Sequence, residues 1–162
     1  MNAEIKIRGK TECSLPAEKF FARIPKQLLK SGELVTEIVF PPVPKGTRAS
    51  FYAFGLTEID FALLKVAVRL VRRQRLCREI VIVACGGTLL PQRLRGAEEI
   101  LRGKKGSQIL VNESSEKAAE EVKVAKDIRC GKDYKRQLCR VMVRAVLEDI
   151  LLDQKVAEWK LF

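Results

Sequence analysis

Between Phe61 and Cys85 the chain carries two apolar runs separated by a basic connection, and a Gly86-Gly87-Thr88 bend with Pro91 behind it follows at once. In the first run Leu64, Val66, Val68 and Leu70 alternate with Lys65, Ala67, Arg69 and Val71. A side-chain period of two is that of a half-buried strand. The second run, Ile80 to Cys85, is apolar at every position, which predicts a strand in the interior of its sheet. Arg72 to Arg78 places charge between them, where a turn meets water. The two runs thus read as antiparallel strands that precede the helices along the chain.

Elements on either side extend this pattern. A strand is expected from Ala49 through Phe54, making three or more antiparallel strands. Helices are expected over Pro91 to Arg102, from about Asn112–Ser115 through Ala125, and over Lys132 to Leu152. In the first, Pro91 sits near the start, Leu94, Ala97 and Leu101 form the apolar stripe, and Gly103 is placed to end it in a left-handed conformation. In the second, Asn112 to Ser115 supply capping side chains ahead of Ala118, Val122 and Ala125. The third is expected to turn Tyr134, Leu138, Val141, Met142 and Ala145 inward and Lys135, Arg136, Arg140 and Arg144 outward. Strands followed by helices predict an α+β fold: an antiparallel sheet of three to four strands with three helices packed on one face. Upstream, strands at Glu4 to Arg8 and Leu34 to Phe40 either join the edge of that sheet or stay loosely held. Pro41, Pro42 and Pro44 then interrupt regular structure. These signals divide the chain into 1–44, 45–153 and a tail over 154–162 that is expected to fray, with Trp159, Leu161 and Phe162 available to dock onto the fold or onto an adjacent subunit.

With 162 residues and 47% hydrophobic composition, one sizeable core is expected. No apolar run approaches the roughly 20 residues that span a bilayer, and Met1 to Arg8 is charged, so a soluble, cytoplasmic protein is expected. The cysteines, Cys13, Cys77, Cys85, Cys130 and Cys139, show no Cys-x-x-Cys spacing. They suggest neither a disulfide framework nor a metal site; Cys85 and Cys139 read as small core hydrophobes. The chain has no histidine, which removes the usual general base and metal ligand. No catalytic and no metal-binding residue is assigned, and chemistry here would rest on a bound cofactor.

Gly86-Gly87-Thr88 between a strand and a helix allows a phosphate cradle, but the spacing of a dinucleotide fingerprint is missing, and a tight turn is the simpler reading. Asp60, and similarly Asp127 with Arg129, are expected to hydrogen-bond local turns. Glu98-Glu99 and Glu120-Glu121 read as solvated charges on polar helix faces. The net charge of +11 attracts anions of any class. A basic nucleic-acid-binding module is therefore an alternative. Aromatics make up only 6% of the chain and do not interleave with the arginines as a stacking platform requires.

Phe51-Tyr52-Ala53-Phe54-Gly55, Ile59 to Val68, Cys85 to Arg93, Ala97 to Lys104, Asp127-Ile128-Arg129 and Tyr134 to Leu138 occur in an order that resembles the C-terminal domain of the FAD-binding subunit of molybdenum hydroxylases, the xanthine dehydrogenase and carbon monoxide dehydrogenase flavoprotein family. The likeness runs from about Phe20 to Ile150. It implies that 1–44 is the end of a FAD-binding domain plus linker and 45–153 the flavoprotein C-terminal domain. It also implies FAD in the complete subunit, not bound by this chain alone, with molybdopterin and iron-sulfur clusters on partner subunits. The partners implied are the upstream FAD-binding domain and those subunits, with no membrane and no nucleic acid. The chain would help to wall the flavin and contact the iron-sulfur subunit as electrons pass from molybdenum to FAD, as part of an oxidoreductase inactive alone.

By the same resemblance, Glu33 to Ile38 corresponds to a strand beside the flavin and Val35 to the cofactor-binding position. An ordinary strand explains that pattern equally well. The family's flavin-approaching lysine is replaced by Ala53, its basic residues by Leu56-Thr57-Glu58, and its glycine-rich turn by Arg23 to Lys26. A scaffold that kept the fold and lost the flavin is consistent with Ala53. The family holds its flavin pyrophosphate on glycine-rich loops upstream, which supports a turn at Gly86-Gly87.

Overall fold

A computed structural model describes residues 3–24, 28–57 and 60–154. Lys26, Glu58, Ile59, Trp159, Leu161 and Phe162 lie outside the described residues. The chain divides into two compact units, Met1–Val43 and Pro44–Phe162.

The first unit contains β1 (Glu4–Arg8), β2 (Glu12–Pro16), α1 (Ala17–Phe21) and β3 (Leu34–Val39). Its strands form an antiparallel sheet of order β2-β1-β3. The strands at Glu4 and Leu34 thus make their own sheet. Ile5, Ile7 and Phe20 bury themselves as a small core with Leu15, Ala17, Leu28 and Leu29 around them. Period two explains the choice: Ile5 and Ile7 point one way, while Lys6 points the other and pairs with Glu37 at 2.8 Å.

The second unit opens with β4 (Thr47–Phe54), β5 (Leu64–Arg73), β6 (Leu76–Cys85) and β7 (Gln92–Arg93), an antiparallel sheet in that order. Helices α2 (Arg95–Leu101), α3 (Gln108–Glu121) and α4 (Lys132–Leu152) follow. Leu64, Val66, Val68 and Leu70 of β5 and Ile80, Ile82 and Ala84 of β6 meet Leu94, Ala97 and Leu101, Val111 and Ala118, and Cys139, Val143, Val146 and Leu147 in one core. Each fully buried aliphatic side chain there contributes about 1.5–3 kcal/mol. The α+β architecture read from the element order is the one observed, with four strands in this sheet.

Several local expectations are corrected. The seven-residue connection at Arg72 to Arg78 is a two-residue turn: Gln74 and Arg75 both take positive φ, 51° and 64°, as the strands' twist demands of a tight hairpin. Pro91 does not start a helix, because Gln92 and Arg93 pair with Ala84 and Val83 first. Gly103 does take the left-handed conformation, φ 74°. Helix α3 starts earlier than Asn112, with Ser107 Oγ accepting from the Leu110 amide at 3.3 Å. The Ser114 hydroxyl instead donates to Ala97 O at 2.9 Å, tying α3 to α2. The C-terminal end of α4 is fixed by Asp153, which Arg48 and Arg72 both engage. Cys139 is fully buried as expected, Cys77 joins it in the core, and Cys85 is only partly covered.

Candidate functional site

In the first unit the candidate cofactor-binding residue, Val35, lies on β3, directly opposite Ile7. Cross-strand partners share a face, yet Ile7 is buried beside Phe20 while Val35 is 40% exposed. Leu34, Ile38, Val39 and Phe40 are exposed too. An edge strand so rich in exposed apolar side chains is unusual in a finished surface. Its Val35 and Ile38 side chains offer exposed apolar surface that a planar ring can lie against.

In the second unit the Gly86-Gly87-Thr88 bend is a packed turn. Gly86 has φ +84°, and a Cβ on Gly87 would stand 2.4 Å from Leu63 O. The Gly87 carbonyl accepts from the Ala125 amide at 2.8 Å, and Thr88 Oγ1 donates to Leu90 O at 2.7 Å. This close approach of backbones is why the sequence needs glycine there; the bend serves the α3–α4 connection. Ala53, where the family pattern has a lysine, is exposed on β4 opposite Lys65 of β5. A cation therefore stands on that face one strand over.

The connection before α4 is held by charge. Asp127 Oδ1 accepts from the Arg129 amide at 3.0 Å, and Asp127 Oδ2 pairs with Arg129 at 2.7 Å and with Lys135 at 3.3 Å. The Arg129 guanidinium, its amide and then Lys135 hold the Asp127 carboxyl well below the usual carboxylate range. Arg129 also donates to Phe61 O at 2.6 Å, joining this loop to the start of β5. The turn role expected of Asp127 is thus present. For Asp60 the contact seen is its amide donating to Thr57 O at 3.4 Å.

Glu98 and Lys135, both read from the sequence as facing solvent, are buried. Glu98 is fully inaccessible and accepts from the Ile82 amide at 3.0 Å and from Arg93 Nε at 2.8 Å. Strand β7 pairs only with Val83 and Ala84. The Ile82 amide falls beyond its end, and Glu98 supplies the acceptor. Glu121 accepts from the Gly96 amide at 2.9 Å at the start of α2, where a carboxylate suits the helix dipole. Lys135, expected outward, is 1% exposed with Nζ on Ala125 O at 3.0 Å, whereas Tyr134, expected inward, is 48% exposed. No sequence signal marked Glu98 or Lys135, since their partners come from other elements.

Among the described residues no group of His, Cys, Asp or Glu could hold a metal ion. No described helix is long and apolar enough to cross a membrane.

Residues 49–150 match the family model of the CO dehydrogenase flavoprotein C-terminal domain. Carbon monoxide dehydrogenase from Hydrogenophaga pseudoflava superposes with TM-score 0.84 and 25% identity, over 91% of this chain and 52% of that one. Quinoline 2-oxidoreductase from Pseudomonas putida 86 gives TM-score 0.82 and 20% identity, over 94% and 53%. CO dehydrogenase from Oligotropha carboxidovorans gives 0.81 and 21%, over 94% and 54%. The chain spans about half the length of these solved chains. No curated protein sequence matches it significantly. A match through β4, the hairpin and all three long helices has one meaning: the chain belongs to the CO dehydrogenase flavoprotein C-terminal domain family.

Proposed function

We propose that this chain is the C-terminal portion of the FAD subunit of a molybdenum hydroxylase, xanthine dehydrogenase-like in scheme. The observation that carries the reading is the family match over residues 49–150. The similar solved chains are about twice as long, and the complete subunit is proposed to hold FAD with Val35 beside it. Bound FAD supplies the electron-accepting chemistry; the protein supplies position and electrostatics.

The described residues fit one wall of such a site. The exposed apolar face of β3, with Val35 and Ile38, can bury a ring face. Phosphate cradling is left to other residues, because the Gly86-Gly87 backbone packs on Leu63 and the α3–α4 connection. The Pro44–Phe162 unit braces an iron-sulfur partner, and molybdopterin resides on a further subunit. Pairing of helix-face cations such as Arg136, Arg140 and Arg144 with acids weighs against the nucleic-acid alternative.

The test is affinity purification of the tagged chain from its source cells, with flavin, molybdenum and acid-labile sulfide measured on the eluate. All three are expected in fixed ratio to the chain. A chain recovered without flavin overturns the proposal.

A further inference from the structure

The β5–β6 hairpin tip carries a concentration of cations that the fold does not use. Arg73, Arg75 and Arg78 are exposed, and among the described residues none of them has an ion-pair partner. Arg78 is the additional residue of a bulge, since Val71 pairs with Glu79 and Arg72 with Cys77. It therefore lacks a cross-strand neighbour. The α2–α3 loop adds to the same end. The Cys77 amide donates to Lys104 O at 2.9 Å, the Gly103 amide donates to Cys77 O at 2.7 Å, and Leu76 bridges Lys105. Lys104 and Lys105 are exposed and likewise without an acidic partner among the described residues.

Beside these charges is a cavity of about 650 Å³ lined by Pro44, Val71, Arg73, Gln74, Arg78 and Glu79. Glu79, also in the lining, is engaged by Arg69 at 3.3 Å, which leaves Arg73 and Arg78 as the lining's uncommitted charges. Guanidinium forks favour planar carboxylates.

We propose that this end of the domain is a docking site for an acidic protein surface, with a partner's Asp or Glu side chain seated between Arg73 and Arg78 and further acids facing Arg75, Lys104 and Lys105. A protein partner fits better than a nucleic acid. Five uncommitted cations, Arg73, Arg75, Arg78, Lys104 and Lys105, share the hairpin-tip end of the sheet, whereas helix-face cations such as Lys117 and Arg136 are neutralised by Glu120 and Asp133. A phosphate backbone needs a continuous track and a single-stranded one needs aromatic stacking. Neither the cavity lining nor the hairpin tip contains an aromatic residue. The site stands whether or not the chain contacts flavin, because its readout is binding by the chain itself.

The experiment is fluorescence anisotropy of a labelled short glutamate-rich peptide titrated with the full chain, beside duplex DNA of matched charge. Arg73→Glu with Arg78→Glu is expected to weaken peptide binding about tenfold or more, as loss of a directly paired charge does. Lys117→Glu with Arg136→Glu, the same change in net charge on helix faces, is expected to change it less than about twofold by long-range effects alone. Arg75→Glu with Lys104→Glu gives an independent pair at the same end and is expected to weaken binding too. Absence of peptide binding, equal losses in the hairpin and helix-face variants, or tighter binding of the DNA than of the peptide overturns the proposal.

Discussion

Glu98 offers the strictest test of how the second unit is held. Its carboxylate is fully buried and meets the Ile82 amide, the Arg93 guanidinium at 2.8 Å and, more remotely, Arg102 at 3.7 Å. Glu98→Ala leaves the Ile82 N–H without an acceptor, costing about 1–3 kcal/mol. It also takes the Glu98 carboxylate away from Arg93, which has a further interaction besides that pair. Breaking a fully buried pair costs about 3–5 kcal/mol, but the Arg93 side chain is 23% exposed and recovers water, so the low end applies. Because the two contributions overlap, the combined loss is about 3 kcal/mol. At about 3 °C per kcal/mol for a chain of this size, Tm falls by about 10 °C. Glu98→Gln, which keeps an acceptor for Ile82, should lose about half as much. Glu99→Ala removes only an exposed pair with Arg102 at 3.2 Å and should lose less than about 0.5 kcal/mol. Circular-dichroism melts with urea titrations measure all three. If Glu98→Ala costs no more than Glu99→Ala, the assignment of Glu98 as the tie between α2 and the end of β7 is wrong.

Further outcomes follow from the same geometry. Gly87→Ala sets a methyl against Leu63 O at 2.4 Å and should destabilise by about 2 kcal/mol, as overpacking does, seen in the same melts. Arg129 and Lys135 depress the Asp127 carboxyl, and Arg48 and Arg72 that of Asp153. Folding therefore favours their ionised forms. Their stabilising share is complete above about pH 4 and is lost as pH falls from there through the depressed values. Asp127→Asn should thus melt below wild type at about pH 7, with the gap narrowing progressively as pH falls below about 4. Burial pushes the Cys77 thiol up to about 11 and the Cys139 thiol up to about 12. Alkylation of the native protein near about pH 8 should label exposed Cys13 and spare both buried thiols, read by peptide mass spectrometry.

The hairpin and the strand-then-helix order were legible because period-two alternation at Leu64 to Leu70 and apolar stripes at Leu94, Ala97 and Leu101 are properties of single elements. The turn length was not, because arginines at 72, 73 and 78 read as loop although their backbones remain in the sheet. Glu98 and Lys135 were misplaced for a related reason. Helical periodicity ranks a charged residue as outward, and only the amide of Ile82 or the carbonyl of Ala125, contributed from elsewhere, makes burial affordable. Val35 is proposed through resemblance alone. Its strand is where the sequence placed it, and its exposure on an edge strand is a property that only the three-dimensional arrangement reveals.

The most direct measurement is a cryo-EM structure of the assembly purified on this chain. The account predicts FAD with its ring system in van der Waals contact with the Val35 side chain on β3. An assembly whose flavin sits away from β3 would contradict it, as would one in which this chain joins no flavin-bearing subunit.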